Sequence, residues 1–326
     1  MEQQVGVDIG RALTKAATTG SKRAMFPSVV GSKSTTSFGG IGDAAFSLNG
    51  STAIVVEHPE FGCVEREVGE NALSHSATAW APRHREQLQQ DLVVLLSNGL
   101  QELKAFGDLD LCVGTPAQFY DAQKASLEKL FKASWTVNGH QVDVGRVVVL
   151  PQPIGTAWHL AVDQQGKVRP KAEAFFGKKV GILDIGEYST DGVVLDNMKN
   201  QGNRMVTVEY GCGKVKEAVA SFLTDQGYPR LPYQVDDAIK NRELAGINLE
   251  PVIEDAVADG VRAILSEVAA RWDDRPEYSR IVIPGGGAYL FGQRIKQAWD
   301  KVEIAPLPEW SNVLGYLAFL MFLGRR

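Results

Sequence analysis

Two segments of the sequence end an apolar run with an acid, a glycine and small hydroxyl residues. The first, 5–15, reads Val-Gly-Val-Asp-Ile-Gly-Arg-Ala-Leu-Thr-Lys, and the second, 180–191, reads Val-Gly-Ile-Leu-Asp-Ile-Gly-Glu-Tyr-Ser-Thr-Asp. Each predicts a strand that breaks into a tight turn, where backbone N–H groups can bind phosphate oxygens and the acid can hold hydrated magnesium. Two such turns, more than 170 residues apart, indicate a duplicated fold that binds a polyphosphate.

In the first turn, Asp8 is the candidate magnesium-binding acid, Gly10 is the turn residue, and Thr14 and Lys15 are candidate donors to phosphate. A simple β-hairpin with a lysine on its outer face is the competing interpretation, because short glycine motifs are common. Taken alone, this turn leaves both interpretations open.

In the second turn, Asp184 lies at the inner end of a wholly apolar run, where a carboxylate is costly unless it is paired or coordinated. Gly186, Ser189, Thr190 and Asp191 complete the candidate phosphate site. The alternative is an acid that accepts hydrogen bonds from the N–H groups of its own turn. The presence of the first turn favours the binding interpretation.

Two further motifs follow predicted strands. Gln152 stands between two prolines after the strand at 146–150, and a neutral amide there can orient a water for attack on a γ-phosphate. An ordinary turn glutamine is the alternative. Gly285, Gly286 and Gly287 follow an apolar run and precede a helical pattern, so a base or ribose can approach the backbone. A turn that is glycine-rich only for close packing is the alternative.

The elements that must position these residues follow from the hydrophobic pattern. Strands are predicted in both turn segments and at 23–30, 52–58, 64–68, 109–114, 146–150, 205–209 and 278–284, with an Asn-Gly hairpin at 135–144. Helices are predicted at 82–106, 119–131, 154–163, 214–226, 252–272 and 289–299, and a buried terminal helix at 313–323.

The 326 residues allow two domains of about 100 to 200 residues each. We expect domain I at 1–151 with 305–326, carrying an insertion at about 31–80. Domain II is expected at 152–304, with an insertion at about 226–250. With 44% hydrophobic and 22% charged residues, disorder and fibrous repeats are disfavoured.

Charge and cysteine usage exclude several classes of function. A net charge of -5 argues against a surface built as a whole to bind nucleic acid, and we expect no direct nucleic-acid binding, although a local basic patch stays open. The longest apolar run, 313–323, is far shorter than the roughly 20 residues of a membrane span. A membrane-surface anchor stays open, because Arg325 and Arg326 follow this run.

The five histidines have no metal-ligand spacing, and neither a nucleophile elbow nor a P-loop motif is present. Three widely spaced cysteines predict a reducing, cytoplasmic setting: Cys63, Cys112 and Cys212.

Five segments, in this order, resemble the actin-like ATPases, and among them the plasmid-segregation type called ParM or StbA. This family lies within the actin, Hsp70 and sugar-kinase superfamily, and the resemblance spans nearly the whole chain. The segments are Asp8-Ile-Gly10 with Lys15, Phe26-Pro27-Ser28, Pro151-Gln152-Pro153, Asp184-Ile-Gly186 with Thr190-Asp191, and Gly285-Gly286-Gly287.

The resemblance implies an α/β, actin-like (ribonuclease H-like) fold of two duplicated domains, each with a five-stranded sheet, and ATP with Mg2+ in the cleft between them. It implies that Asp8 and Asp184 hold Mg2+ through water, that Lys15 and the two turns hold the phosphates, and that the triple glycine lines the adenosine side. Gln152 would orient the lytic water. Many ParM proteins have glutamate there and actin has glutamine, so a general-base role is disfavoured. GTP remains an alternative nucleotide.

The resemblance also implies a cytoskeletal function. Such a protein polymerises with ATP bound, loses its filament after hydrolysis, and moves plasmid DNA through a separate DNA-binding adaptor. Filament contacts would lie on variable segments such as 31–50 and 226–248. A small-molecule kinase or another non-polymerising ATPase of the same superfamily is the alternative. A chaperone-like nucleotide switch would require a peptide-binding domain.

Overall fold

The computed structural model describes residues 3–32, 53–75, 88–170, 172 and 177–325. Half of the insertion expected at 31–80, namely 33–52 and 76–80, lies outside these residues, as do 82–87 of the helix predicted at 82–106. The described strands are β1 (Gln3–Ile9), β2 (Leu13–Thr18), β3 (Arg23–Pro27), β4 (Val30–Ser32), β5 (Ala53–His58), β6 (Gly62–Val68), β7 (Gly107–Thr115), β8 (Ser134–Val137), β9 (His140–Pro151), β10 (Lys179–Ile185), β11 (Thr190–Asp196), β12 (Lys199–Asn200), β13 (Val206–Val208), β14 (Glu243–Leu244), β15 (Ile247–Asn248), β16 (Arg280–Ile283) and β17 (Val302–Ile304). The described helices are α1 (Glu70–His75), α2 (Leu88–Leu103), α3 (Tyr120–Phe131), α4 (Gln152–Ala161), α5 (Cys212–Asp225), α6 (Asp236–Asn241), α7 (Glu250–Arg271), α8 (Ala288–Ala298) and α9 (Ser311–Leu323).

The chain divides into two compact units. The first contains 1–115, 119–167 and 313–326, and the second contains 116–118 and 168–312. These bounds differ from the expected ones chiefly at α4, which belongs to the first unit because it packs on β7 and β9. There its Gly155 backbone lies so close to Gly315 of α9 that a side chain on Gly315 would overlap it.

In the first unit, the described strands form one sheet in the order β3-β2-β1-β7-β9-β8-β5-β6-β4. The expected five strands are its first five, and four more extend it. They extend the sheet because β9 pairs with β7 on one edge and, through the Asn138–Gly139 turn, with β8 on the other. Both turn residues have positive φ, +48° and +78°, as predicted for this hairpin.

A leucine-rich helix covers one face of this sheet. Helix α2 packs across β1, β2 and β3 with its apolar positions at helical spacing, as predicted. Val5 and Val7 of β1 and Ala16 of β2 lie in the same core and are fully buried. The buried leucines of α2 are Leu95, Leu96, Leu100 and Leu103.

In the second unit, the sheet has the order β12-β11-β10-β16-β17, and β13 also pairs with β11. The run β13-β11-β10-β16-β17 repeats the order β3-β2-β1-β7-β9 of the first unit. Helices α5, α7 and α8 pack over this sheet around the buried Trp272 and Phe291. The expected insertion at 226–250 contains α6 and the small β14–β15 ladder.

Among the described residues, no helix combines the length and the hydropathy needed to cross a membrane. Helix α9 has only 13 residues and is mostly buried in the protein, because its apolar side chains pack inside.

Candidate functional site

The first turn joins β1 to β2, which pair antiparallel with Asp8 opposite Lys15 and Ile9 opposite Thr14. The Gly10 N–H donates to the Leu13 carbonyl at 3.1 Å, so this donor is used within the turn and is not presented to a ligand. A Cβ on Gly10 would lie 2.8 Å from that carbonyl oxygen. Close backbone approach therefore explains the glycine.

The pairing register separates the candidate donors of this turn. Side chains alternate between the faces of a strand, so Asp8 and Lys15 share one face and Thr14 lies on the other. There the Thr14 hydroxyl lies 2.8 Å from the Ser28 hydroxyl, and both residues are buried. The structure therefore brings Lys15, but not Thr14, to the side of Asp8.

Gln152 reaches the same acid from helix α4. It is the first residue of that helix, two residues earlier than predicted, after Pro151 in an extended conformation. Its Nε2 donates to Asp8 Oδ1 at 2.8 Å, and its backbone oxygen accepts from the Tyr316 hydroxyl at 3.4 Å. A Cβ on Gly114 would lie 2.8 Å from Gln152 Cγ, so this glycine leaves room for the amide.

The second turn repeats this arrangement between β10 and β11, with Asp184 opposite Asp191 and Ile185 opposite Thr190. The Gly186 N–H donates to the Ser189 carbonyl at 2.9 Å. As in the first turn, the glycine donor is used within the hairpin.

Asp184 and Asp191 lie on the same face of the second hairpin, because residues directly opposite in a ladder share a face. Asp191 accepts from the Thr207 hydroxyl at 2.6 Å and from the Ser189 hydroxyl at 3.3 Å. Thr190 lies on the opposite face, fully buried, and donates to the Tyr210 carbonyl at 2.8 Å. Ser189 and Asp191 therefore lie near Asp184, whereas Thr190 does not.

Asn312 is a site residue that the sequence reasoning missed. It is the second residue of α9, is only 6% exposed, and its Nδ2 donates to Asp184 Oδ2 at 2.7 Å. It occupies the place in the second unit that Gln152 has in the first, at the start of the helix that follows the last core strand. The available signal was the polar pair Ser311-Asn312 directly before the apolar run at 313–323.

The three glycines after β16 have different surroundings. Gly285 has a φ of +84°, and a Cβ there would overlap Asp184 Oδ1 and the Ile185 carbonyl. A Cβ on Gly287 would overlap the Ile185 side chain. Gly286 is exposed, and a Cβ there would meet no atom within 4 Å. Packing thus explains Gly285 and Gly287, and only Gly286 faces open space.

Backbone N–H groups at the start of α5 donate hydrogen bonds to the second turn. The Cys212 N–H donates to the Gly186 carbonyl at 3.0 Å, and the Gly213 N–H donates to the Glu187 carbonyl at 2.7 Å. Burial raises the pKa of Cys212 to about 12, so its thiol stays protonated and is a poor nucleophile.

The charged side chain of Lys216 also lies beside this turn, held by two ion pairs. Its Nζ is 3.1 Å from Glu187 Oε1 and 2.8 Å from Asp236 Oδ1. Burial disfavours its charge, but the Asp236 hydrogen bond and the Glu187 charge outweigh that effect and raise the pKa of Lys216. The ammonium therefore stays charged.

Within the part of the chain that the structure describes, no three His, Cys, Asp or Glu side chains converge as a metal cluster. Mg2+ usually uses one or two carboxylates together with water and substrate phosphates. Each turn by itself supplies carboxylates of that number, Asp8 in the first and Asp184 with Asp191 in the second.

Comparisons with known proteins agree with this duplicated arrangement. Residues 6–155 match the family model "Actin like proteins N terminal domain", and residues 182–297 match "Archaeal actin homologue MreB-like, C-terminal". No curated protein matches the chain significantly.

Several solved structures are similar over nearly their whole length. A 15-stranded ParM filament from Clostridium botulinum is 19% identical with a TM-score of 0.75, covering 98% of each chain. The archaeal actin homologue Ta0583 in complex with ADP is 17% identical with a TM-score of 0.74, covering 98% of this chain and 99% of the other. Bacillus thuringiensis ParM with ATP is 11% identical with a TM-score of 0.71, covering 99% of each. At these identities the similarity establishes the fold.

Proposed function

Because this chain is an actin-like protein, matched by an actin-like N-terminal model and an archaeal MreB-like C-terminal model, we propose that it is a filament-forming ATPase. It binds ATP with Mg2+, hydrolyses it, and assembles with copies of itself when the nucleotide is bound. One repeated arrangement carries this proposal. Each unit ends its first core strand with an acid that accepts a hydrogen bond from an amide, Asp8 from Gln152 and Asp184 from Asn312.

The second turn offers the ligands that hydrated Mg2+ prefers. Asp184 and Asp191 lie directly opposite each other, and like charges in that position destabilise a sheet unless a cation offsets them. We therefore assign Asp184 to Mg2+ through water, and Asp8 of the first turn as well. When bound, Mg2+ neutralises charge on the phosphate oxygens.

Phosphate and nucleoside contacts follow from the faces on which the side chains lie. Lys15 shares the face of Asp8 and supplies a positive charge for phosphate oxygens. Gly286 follows Gly285, which packs against Asp184. A Cβ on Gly286 would meet no atom within 4 Å, so this residue leaves space for the nucleoside of ATP or GTP. We assign Thr14 and Thr190 to the support of the two hairpins, because both hydroxyls are buried in hydrogen bonds on the other face.

Gln152 would act on the attacking water. Its Nε2 donates to Asp8, so its amide oxygen is the atom that can accept a hydrogen bond from water. A neutral amide is too weak a base to remove the proton. Gln152 therefore orients the water for attack on the γ-phosphate, as glutamine does in other nucleotide hydrolases.

Self-association is proposed because similar structures include a ParM filament. The finer proposal is segregation of plasmid DNA in the cytoplasm through a separate DNA-binding adaptor. A net charge of -5 supports an adaptor over direct DNA contact.

Sedimentation of the purified protein tests the proposal. Polymer should pellet with Mg2+ and ATP, and less should pellet with ADP or without nucleotide. Phosphate release should rise more than linearly with protein concentration. The absence of pelletable polymer with ATP or GTP at every attainable concentration would contradict filament formation.

The same assay distinguishes a filament-forming ATPase from the alternative enzymes. A small-molecule kinase or another non-polymerising ATPase would show turnover proportional to protein concentration and, for a kinase, turnover stimulated by a metabolite. Either result without polymer would replace the filament proposal.

A further inference from the structure

Asn312 places a buried amide against the acid of the second turn. Its Nδ2 lies 2.7 Å from Asp184 Oδ2, and the residue is 6% exposed. A buried polar side chain is costly unless it is hydrogen-bonded. This contact satisfies one of its donors and one oxygen of the acid.

The residues at the start of α9 are buried. Ser311, directly before Asn312, is fully buried, and Asn312 itself is nearly so. Close packing limits the movement of buried side chains. Rotation of the amide away from Asp184 is therefore restricted.

The other oxygen of the acid is confined as well. The Cα of Gly285 lies so close to Asp184 that a Cβ there would overlap Oδ1. The carboxylate thus lies between an amide donor at Oδ2 and a glycine backbone at Oδ1. Both contacts limit its rotation.

We propose that Asn312 is a positioning residue that fixes the Asp184 carboxylate for Mg2+–nucleotide. This inference rests on the proposed function, because it assigns Asp184 to the hydrated ion. Asn312 acts through its hydrogen bond to Asp184. Groups that orient a metal ligand in this way typically contribute about 10- to 100-fold to metal affinity.

The test measures ADP binding by calorimetry over a series of Mg2+ concentrations, together with the melting temperature without nucleotide. In Asn312→Ala, the Mg2+ concentration needed for half-maximal ADP affinity should rise about tenfold or more. Asn241→Ala is the matched control, because Asn241 is exposed on α6 of the same unit. This control should bind and melt like the wild type.

A second variant separates positioning from simple support of the fold. Asp184→Asn with Asn312→Asp exchanges the amide and the carboxylate and preserves a hydrogen bond between them. It should recover most of the melting temperature lost in Asn312→Ala, but not the Mg2+ dependence, because the charge has moved off the turn. Recovery of both would overturn the proposal.

The wild type separates this inference from the proposed function. Wild-type ADP binding that does not depend on Mg2+ would contradict the assignment of Asp184, and with it the inference. A Mg2+-dependent wild type with an unchanged Asn312→Ala would overturn only the role of Asn312.

Discussion

The two units build the same hairpin and differ in the charge that it presents. In both, the turn glycine, Gly10 or Gly186, donates to the carbonyl three residues later. In both, a fully buried threonine, Thr14 or Thr190, bonds a residue just after the neighbouring strand. The glycines are explained by the backbone hydrogen bond that closes each turn, and the threonines by hydrogen bonds in the protein interior.

The chemistry lies where the hairpins differ. The residue opposite the acid is Lys15 in the first unit and Asp191 in the second. The first turn therefore presents one positive and one negative charge, whereas the second presents two negative charges. On our proposal, the first turn binds phosphate oxygens and the second binds a cation.

Replacing an acid should produce the largest effect. Asp184→Ala should lower ATP turnover about 100- to 1,000-fold, because a charged group at a phosphoryl-transfer site is lost. Asp8→Ala should do the same if both turns serve one reaction. Phosphate release and circular dichroism measure turnover and folding. A variant that only unfolds would show that Asp184 serves its own turn.

The two amides should differ in which kinetic constant they change. Gln152→Ala should lower kcat about 100-fold, because Gln152 acts on the attacking water, and should weaken nucleotide affinity to a smaller extent through its contact with Asp8. In contrast, Asn312→Ala is expected to weaken Mg2+-dependent binding. Single-turnover hydrolysis beside ADP calorimetry separates the two effects. Equal changes in both constants for both variants would remove the distinction.

The triple glycine allows packing and binding to be separated within three residues. Gly285→Ala should lower the free energy of unfolding by about 1–3 kcal/mol, because its positive φ and its contact with Asp184 leave no place for a Cβ. Gly286→Ala should stay within about 0.5 kcal/mol. Denaturant unfolding measures both. A nucleotide affinity that falls in Gly286→Ala without loss of stability would support its place beside the nucleoside.

The smallest effects on turnover are expected at the shared threonines. Thr14→Val or Thr190→Val should each lower the free energy of unfolding by about 1–2 kcal/mol, since a buried partner loses its hydrogen bond. Turnover at a temperature where both variants are folded should match the wild type. A large loss of nucleotide affinity in Thr14→Val would restore its predicted role at the phosphate.

Much of the fold could be predicted from local pattern. The Asn138–Gly139 turn, the leucine periodicity of α2, and the apolar strands before each acid depend on neighbours in sequence, and all three are present. The strands at 52–58 and 64–68 and the hairpin at 135–144 could be predicted, but their place in the first sheet could not be, because pairing of β8 with β5 joins segments far apart in the chain. Short strands such as β17 carry too few residues to form a pattern.

Within the site, the sequence by itself determined which residue types stand at the ends of the core strands. These are the two acids, their turn glycines, and the residues opposite the acids, Lys15 in the first hairpin and Asp191 in the second. These follow from composition and order alone. Only the tertiary structure decided which side chains meet. The pairing register put Thr14 and Thr190 on the far faces, and the packing within each unit brought Gln152 to Asp8 and Asn312 to Asp184. A side chain's face depends on its partner strand, and an amide 128 or 144 residues away becomes a neighbour only after the helices pack.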